Sequence, residues 1–178
     1  GVDVKKISVQ KVAHRTRHER KIEAVDSPDP EKSESTEEVS VQASIPQPTR
    51  SVSFMWPLHG RITSGFGNRP DPFSGKRSFH NGVDISAEQG TPVKACADGE
   101  VIYSGWKEGY GNLVVVKHIN GYVSVYGHNS VLKKEEGDIV KKGDVISLSG
   151  MTGAVTGAHL HFEIQKYQTP LNPIRMLK

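Results

Sequence analysis

One octapeptide constrains this chain more than any other stretch: Gly157-Ala158-His159-Leu160-His161-Phe162-Glu163-Ile164. Polar and apolar residues alternate with the strand period of two, so Leu160, Phe162 and Ile164 share one face and His159, His161 and Glu163 share the other. The apolar face packs into a core. Two imidazoles projecting from one rigid strand are preorganised for metal binding or acid–base work.

The rest of the second half has the same texture. Short runs rich in Val, Ile and Tyr are punctuated by glycine: Gly99 to Ser104, Asn112 to His118, Tyr122 to Tyr126, Val145 to Ser149 and His159 to Gln165. Asn120-Gly121 lies between two of these runs, and both residues tolerate positive φ, which predicts a hairpin. The expected fold is mainly β, an antiparallel sheet arrangement with little helix and no solenoid repeat. The stretch from Glu136 to Ile146, with Ala97 to Val101, is similar to the turn-strand rhythm of biotinyl and lipoyl carrier domains and suggests a barrel-sandwich topology. The modifiable lysine at a tight hairpin that a carrier needs is missing from it, and fold does not fix function.

Residues 1–50 differ in kind. Lys5, Lys6, Lys11, Arg15, Arg17, Arg20 and Lys21 form a basic block, followed by an acidic one through Asp26, Asp29, Glu31, Glu34, Glu37 and Glu38. Few large apolar residues accompany either block, so the segment cannot offset the entropy of ordering. It is expected to be an extended or disordered stalk ending in the linker Ser44 to Thr49, with the domain covering 51–178. His14 and His18 are four apart, but two imidazoles without a third ligand make a weak site, and a solvated basic segment is the expected role.

The net charge of +3 is scattered along the 178 residues, which argues against a nucleic-acid footprint. A single cysteine, Cys96, excludes an intramolecular disulfide and is expected to be a small buried hydrophobe. There is no apolar run long enough to span a bilayer, so a signal peptide or membrane anchor is expected only upstream of Gly1.

A second chemical cluster lies at Phe79-His80-Asn81-Gly82-Val83-Asp84-Ile85. Asn81-Gly82 favours a turn, placing His80 before the bend and Asp84 in the strand beyond it, with Val83 and Ile85 towards the core. An aspartate between two core residues is costly unless it is paired or ligates a metal. His128 lies at the end of an apolar strand, where functional groups are commonly presented. His118 and His59 fit no ligand-like pattern and are expected to be structural or superficial.

Together, His80-x-x-x-Asp84, His128 and His159-x-His161 resemble the lysostaphin and LytM-type metallopeptidases, the M23 peptidase family. The likeness runs over residues 56–175 and includes Trp56-Pro57-Leu58, Ile62 to Arg69, Gly90 to Val93, Gly109 to Asn112 and Asn172-Pro173. The resemblance implies a LytM-type fold and one zinc ion held by His80, Asp84 and His161, with His128 and His159 as unligated catalytic histidines. It implies an endopeptidase acting on peptidoglycan in the periplasm or cell envelope, on D,D-type stem-peptide cross-links rather than glycine bridges. Phe66, Asn68, Arg69 and Tyr110 are the expected walls of the substrate groove. Gly127, Asn129 and Ala158 depart from residues frequent in the family, yet all five ligand and catalytic positions are filled. The alternative is a self-inhibited or non-catalytic wall-binding or activator module of the same fold. Self-inhibition through an asparagine, as in zymogen-like LytM proteins, has no counterpart in residues 1–50, which contain none.

Overall fold

The computed structural model describes residues 51–70 and 75–178. The charged blocks, His14, His18 and the expected stalk lie outside the described residues.

Among the described residues thirteen strands follow one another: β1 (Ile62–Ser64), β2 (Gly67–Pro70), β3 (Arg77–His80), β4 (Val83–Ser86), β5 (Pro92–Lys94), β6 (Gly99–Lys107), β7 (Gly111–Lys117), β8 (Tyr122–Asn129), β9 (Val131–Leu132), β10 (Ile139–Val140), β11 (Val145–Leu148), β12 (His159–Lys166) and β13 (Thr169–Leu171). Among the described residues there is no α-helix, only 3-10 turns at Ile119–Gly121 and Pro173–Arg175. The main sheet runs β1-β4-β12-β8-β7-β6-β10, with β13 also on β12, and smaller sheets are formed by β5-β11-β9 and β2-β3. All named pairings are antiparallel. The mainly β, antiparallel expectation therefore holds.

The turn between β7 and β8 forms where Asn120-Gly121 predicts it, with φ of 57° and 73°. The octapeptide supplies most of β12, an interior strand of the main sheet between β4 and β8. Leu160, Phe162 and Ile164 are fully buried in the main core with Val83, Ile85, Val114, Val116 and Tyr126. On the opposite face Leu113, Val115, Val123 and Val125 form a smaller cluster that Tyr110 packs against. β7 is thus covered on both sides, which is why its sequence is a continuous apolar run rather than an alternation. Gly82 lets β4 lie flat on β12, because any side chain there would collide with the Phe162 carbonyl.

The main core also holds a closed polar network. His118 Nδ1 donates to the Asp98 carbonyl at 2.7 Å, and its Nε2 lies 2.7 Å from Ser124 Oγ and 3.8 Å from Cys96 Sγ. Ser124 Oγ donates to Tyr126 Oη, which accepts from the Cys96 amide as well. Cys96 is fully buried, as the sequence predicts, and burial pushes its thiol up to about 11. Burial lowers the His118 pKa, against the opposing pull of Asp98. Between the unfolded value, about 6.5, and the lower folded value, the unfolded chain binds the extra proton. His118 therefore lowers stability as pH falls below about 6.5. The slope is at most about 1.4 kcal/mol per pH unit. Denaturant midpoints measured at pH 7.5, 6.5 and 5.5 are expected to fall less steeply in His118→Gln than in wild type.

Candidate metal centre

The sheet register assembles the site. His161 is paired with Asp84 on one side and Gly127 on the other, so one row across β4, β12 and β8 carries carboxylate, imidazole and no side chain. A side chain at Gly127 would crowd Tyr110, whose Cδ1 would lie 3.2 Å from its Cβ. His80 closes β3, and the Asn81-Gly82 bend brings it back over Asp84.

His161 Nδ1 lies 3.0 Å from Asp84 Oδ1 and 3.1 Å from His80 Nε2, and His80 Nε2 is 3.3 Å from the same oxygen. All three residues are buried. The other nitrogen of each ring is already committed. His80 Nδ1 is 2.8 Å from the Gly65 carbonyl, and His161 Nε2 is 2.9 Å from Glu163 Oε1. With those protons placed outwards, two imidazole lone pairs and a carboxylate oxygen converge with no hydrogen between them. That is unfavourable unless a cation or an added proton sits among them. Ligand atoms on a tetrahedral zinc, with bonds of about 2.0 Å, stand about 3.3 Å apart. The three separations match that triangle, and three protein donors leave a fourth position open. The residues fit zinc.

The charges agree. Burial works against an ionised Asp84, but hydrogen bonds and charge from His161 and His80 outweigh it and hold the carboxyl well below its usual range. Burial also opposes a charged His161, yet Asp84 and Glu163 on its two sides raise its pKa to about 9. Without metal, a proton on His161 relieves the repulsion of lone pairs.

Glu163 completes the support. It is fully buried and its pKa is lowered despite desolvation, chiefly through His161. Oε1 accepts from Tyr110 Oη at 2.8 Å as well as from His161, and Oε2 accepts from Gln165 Nε2 at 2.8 Å. Tyr110 also meets the His161 ring edge-on at 5.4 Å.

His128 reaches the same face through an irregularity. Asn112 pairs with Asn129 but Val114 pairs with Tyr126, so Gly127 and His128 together oppose Leu113, and His128 has φ of 65°. Strict alternation would send His128 to the Tyr126 side. The bulge re-aims it, an uncommon conformation for a non-glycine residue. Its Nδ1 is fixed by the Thr152 carbonyl at 2.8 Å and its ring stacks at a tilt 4.8 Å from that of His159. Burial, helped by His161 and His159, lowers its pKa to about 4 against the Thr152 hydrogen bond. His159 Nδ1 is held by the Gly157 carbonyl at 2.8 Å, and its Nε2 is 3.7 Å from Asp84 Oδ1.

The cleft over these groups has a volume of about 380 Å³ and continues into a second arm beside Phe79, Asn81 and Tyr110. Of the four expected groove residues, Arg69 lines the first arm and contacts Asp84, while Tyr110 lines the second. Phe66 packs edge-on against Phe79 at 5.1 Å, and Asn68 is exposed on β2; neither lines these arms. Reasoning from sequence missed the role of Glu163, although its place two residues after His161 on one strand face was visible. It also missed the carbonyls of Gly65, Thr152 and Gly157, for which sequence carries no signal.

A buried His-Asp-His triangle with two further imidazoles lining its cleft is a donor set that could hold a single metal ion on a β-sheet. The chain belongs to peptidase family M23, whose profile matches residues 78–173. It is 44% identical over 117 residues to the DD-carboxypeptidase/endopeptidase Mpg of Neisseria meningitidis serogroup B, covering 66% of this chain and 27% of that protein. It is 36% identical over 126 residues to the murein hydrolase activator NlpD of Escherichia coli K12, covering 70% of this chain and 31% of that one. A zinc-containing peptidase from Vibrio cholerae superposes with a TM-score of 0.64 at 36% identity, over 67% of this chain and 39% of the other. The chain thus spans about a quarter to a third of the length of these two curated relatives.

Proposed function

We propose that the domain is a zinc-dependent endopeptidase that hydrolyses peptide cross-links of bacterial peptidoglycan, of the D,D type, in the periplasm or cell envelope. The observation that carries this reading is the convergence of three lone-pair donors beneath a cleft that also presents two imidazoles fixed by backbone carbonyls. His80, Asp84 and His161 would hold the ion. Zinc in such a set supplies Lewis acidity and makes hydroxide accessible at neutral pH.

The chain's own residues do the rest. His128 is neutral at pH 7, and with Nδ1 committed to Thr152 its Nε2 is left to take a proton from water and return it to the leaving nitrogen. His159, whose ring packs beside that of His128, is assigned to the developing oxyanion. Glu163 and Tyr110 hold the His161 ring in its tautomer.

Separate His128→Ala and His159→Ala variants test the assignment. Each is expected to retain zinc, measured by elemental analysis, and to release dye-labelled fragments from cross-linked sacculi about 10²- to 10⁴-fold more slowly. Rates within tenfold of wild type would place the chemistry elsewhere. The similarity to a murein hydrolase activator supports a second reading, in which the domain stimulates a partner hydrolase. Zinc-loaded wild type that cuts no sacculi alone yet accelerates an added murein hydrolase would favour that reading.

A further inference from the structure

The cleft carries a single Lys or Arg among the described residues that line its two arms, and that residue is Arg69. Its Nη2 lies 3.4 Å from Asp84 Oδ2, the carboxylate oxygen turned away from the donor triangle. The guanidinium therefore stands one carboxylate beyond the metal donors. One long contact uses little of its capacity, since a guanidinium has five N–H donors. Nε is buried with no hydrogen-bond partner among the described residues, while the side chain as a whole is 29% exposed and lines the first arm. A fixed, under-satisfied guanidinium suits a planar anion.

The other arm differs. It is lined by Phe79, Asn81 and Tyr110 and has no Lys or Arg among the described residues, while its one carboxylate, Glu163, is spent on His161, Tyr110 and Gln165. The two arms meet at His80, His128 and His161. A peptide lying across the donors would thus place one half against a cation and the other against neutral groups.

Resting on the endopeptidase reading, we infer that Arg69 is a specificity-determining residue which binds a carboxylate on the carbon next to the leaving nitrogen. The leaving half of the substrate lies in the Arg69 arm and the acyl half in the Phe79–Tyr110 arm. Water adds across the scissile bond: the C–N bond breaks, hydroxyl goes to the acyl carbon, and the proton goes to the amine. That amine carries the carboxylate which Arg69 holds. Two peptidoglycan bonds have this chemistry, D-alanyl-D-alanine with its free C-terminus and the D-alanyl bond to the side-chain amine of diaminopimelate, whose own carboxylate is adjacent. An interior glycine bridge, a lysine side chain and an amidated diaminopimelate all lack it. The domain should accordingly trim free stem termini as well as cut cross-links, and act poorly on walls without that carboxylate.

The test uses a matched pair of stem pentapeptides ending in D-Ala-D-Ala, one with the free carboxylate and one with a C-terminal carboxamide. Zinc-loaded wild type, Arg69→Gln and Arg69→Lys are compared, with metal content measured for each. Wild type is expected to prefer the carboxylate in kcat/KM by tenfold to a hundredfold, as expected for about 1.5–3 kcal/mol from a charged hydrogen bond. Arg69→Gln should bring the ratio close to one, and Arg69→Lys should give an intermediate ratio. A residue that merely steadies Asp84 would slow both substrates alike, so an unchanged ratio in Arg69→Gln overturns the inference. Equal wild-type rates on the two peptides overturn it as well. Wild type that cuts neither peptide nor sacculi would instead overturn the endopeptidase reading on which it rests.

Discussion

His161→Ala is expected to lose more than about a thousandfold in rate on cross-linked sacculi, because a Lewis acid contributes several kcal/mol and each 1.4 kcal/mol is tenfold. The same variant should fail to hold zinc at micromolar protein after dialysis. All three proposed donors touch one another, but among them only His161 also bonds to Glu163, so its removal breaks the triangle and strands Glu163 as a buried charge. Some loss of stability is expected from that stranded charge. Asp84→Asn separates the two effects: it keeps the volume and the pairing with His161, and should still cost zinc and activity while the fold, followed by circular dichroism, persists. Activity near wild type in Asp84→Asn would mean that the triangle is not the metal site.

The second large effect is at Glu163. Glu163→Ala leaves the Tyr110 hydroxyl, the His161 Nε2 proton and the Gln165 amide without their acceptor in a fully buried place. Removing one partner of such a buried charged network costs about 3–5 kcal/mol. Glu163→Gln should be much milder for stability. Gln165 Oε1 is buried without a partner, so a new amide at position 163 could donate to it after a small rearrangement. What the glutamine cannot supply is the negative charge that makes His161 a better ligand. Zinc affinity of Glu163→Gln is expected to fall 10- to 100-fold, the usual cost of losing a carboxylate behind a metal-bound histidine. Competition with a chromophoric chelator would measure it; unchanged affinity would show that Glu163 serves only the fold.

Much of this was legible in the chain, and the exceptions have physical reasons. β6, β7, β8, β11 and β12 announce themselves by alternation or by valine-rich runs, and the His80–Asp84 bend by Asn81-Gly82. Strands of two or three residues such as β9, β10 and β13 are too short to show a period. His128 was visible as a candidate, but alternation sends its side chain to the wrong face, and only the bulge opposite Leu113 corrects that. Glu163 was placed on the functional face, yet its complete burial depends on Tyr110 arriving from the loop before β7, a contact 53 residues distant. Phe66 and Asn68 show the converse: their positions beside the motif suggested a groove wall, while the β2-β3 hairpin turns Asn68 to solvent and Phe66 onto Phe79.

The most direct measurement of the central claim is digestion of purified diaminopimelate-type peptidoglycan by the full chain, with released fragments weighed by mass spectrometry. Zinc-loaded wild type, chelator-treated wild type restored by added zinc, and His161→Ala are run in parallel. Monomeric stem peptides cut at D-alanyl bonds are expected from the zinc-loaded and restored samples alone. Full zinc occupancy with no fragment above the chelated control would contradict it.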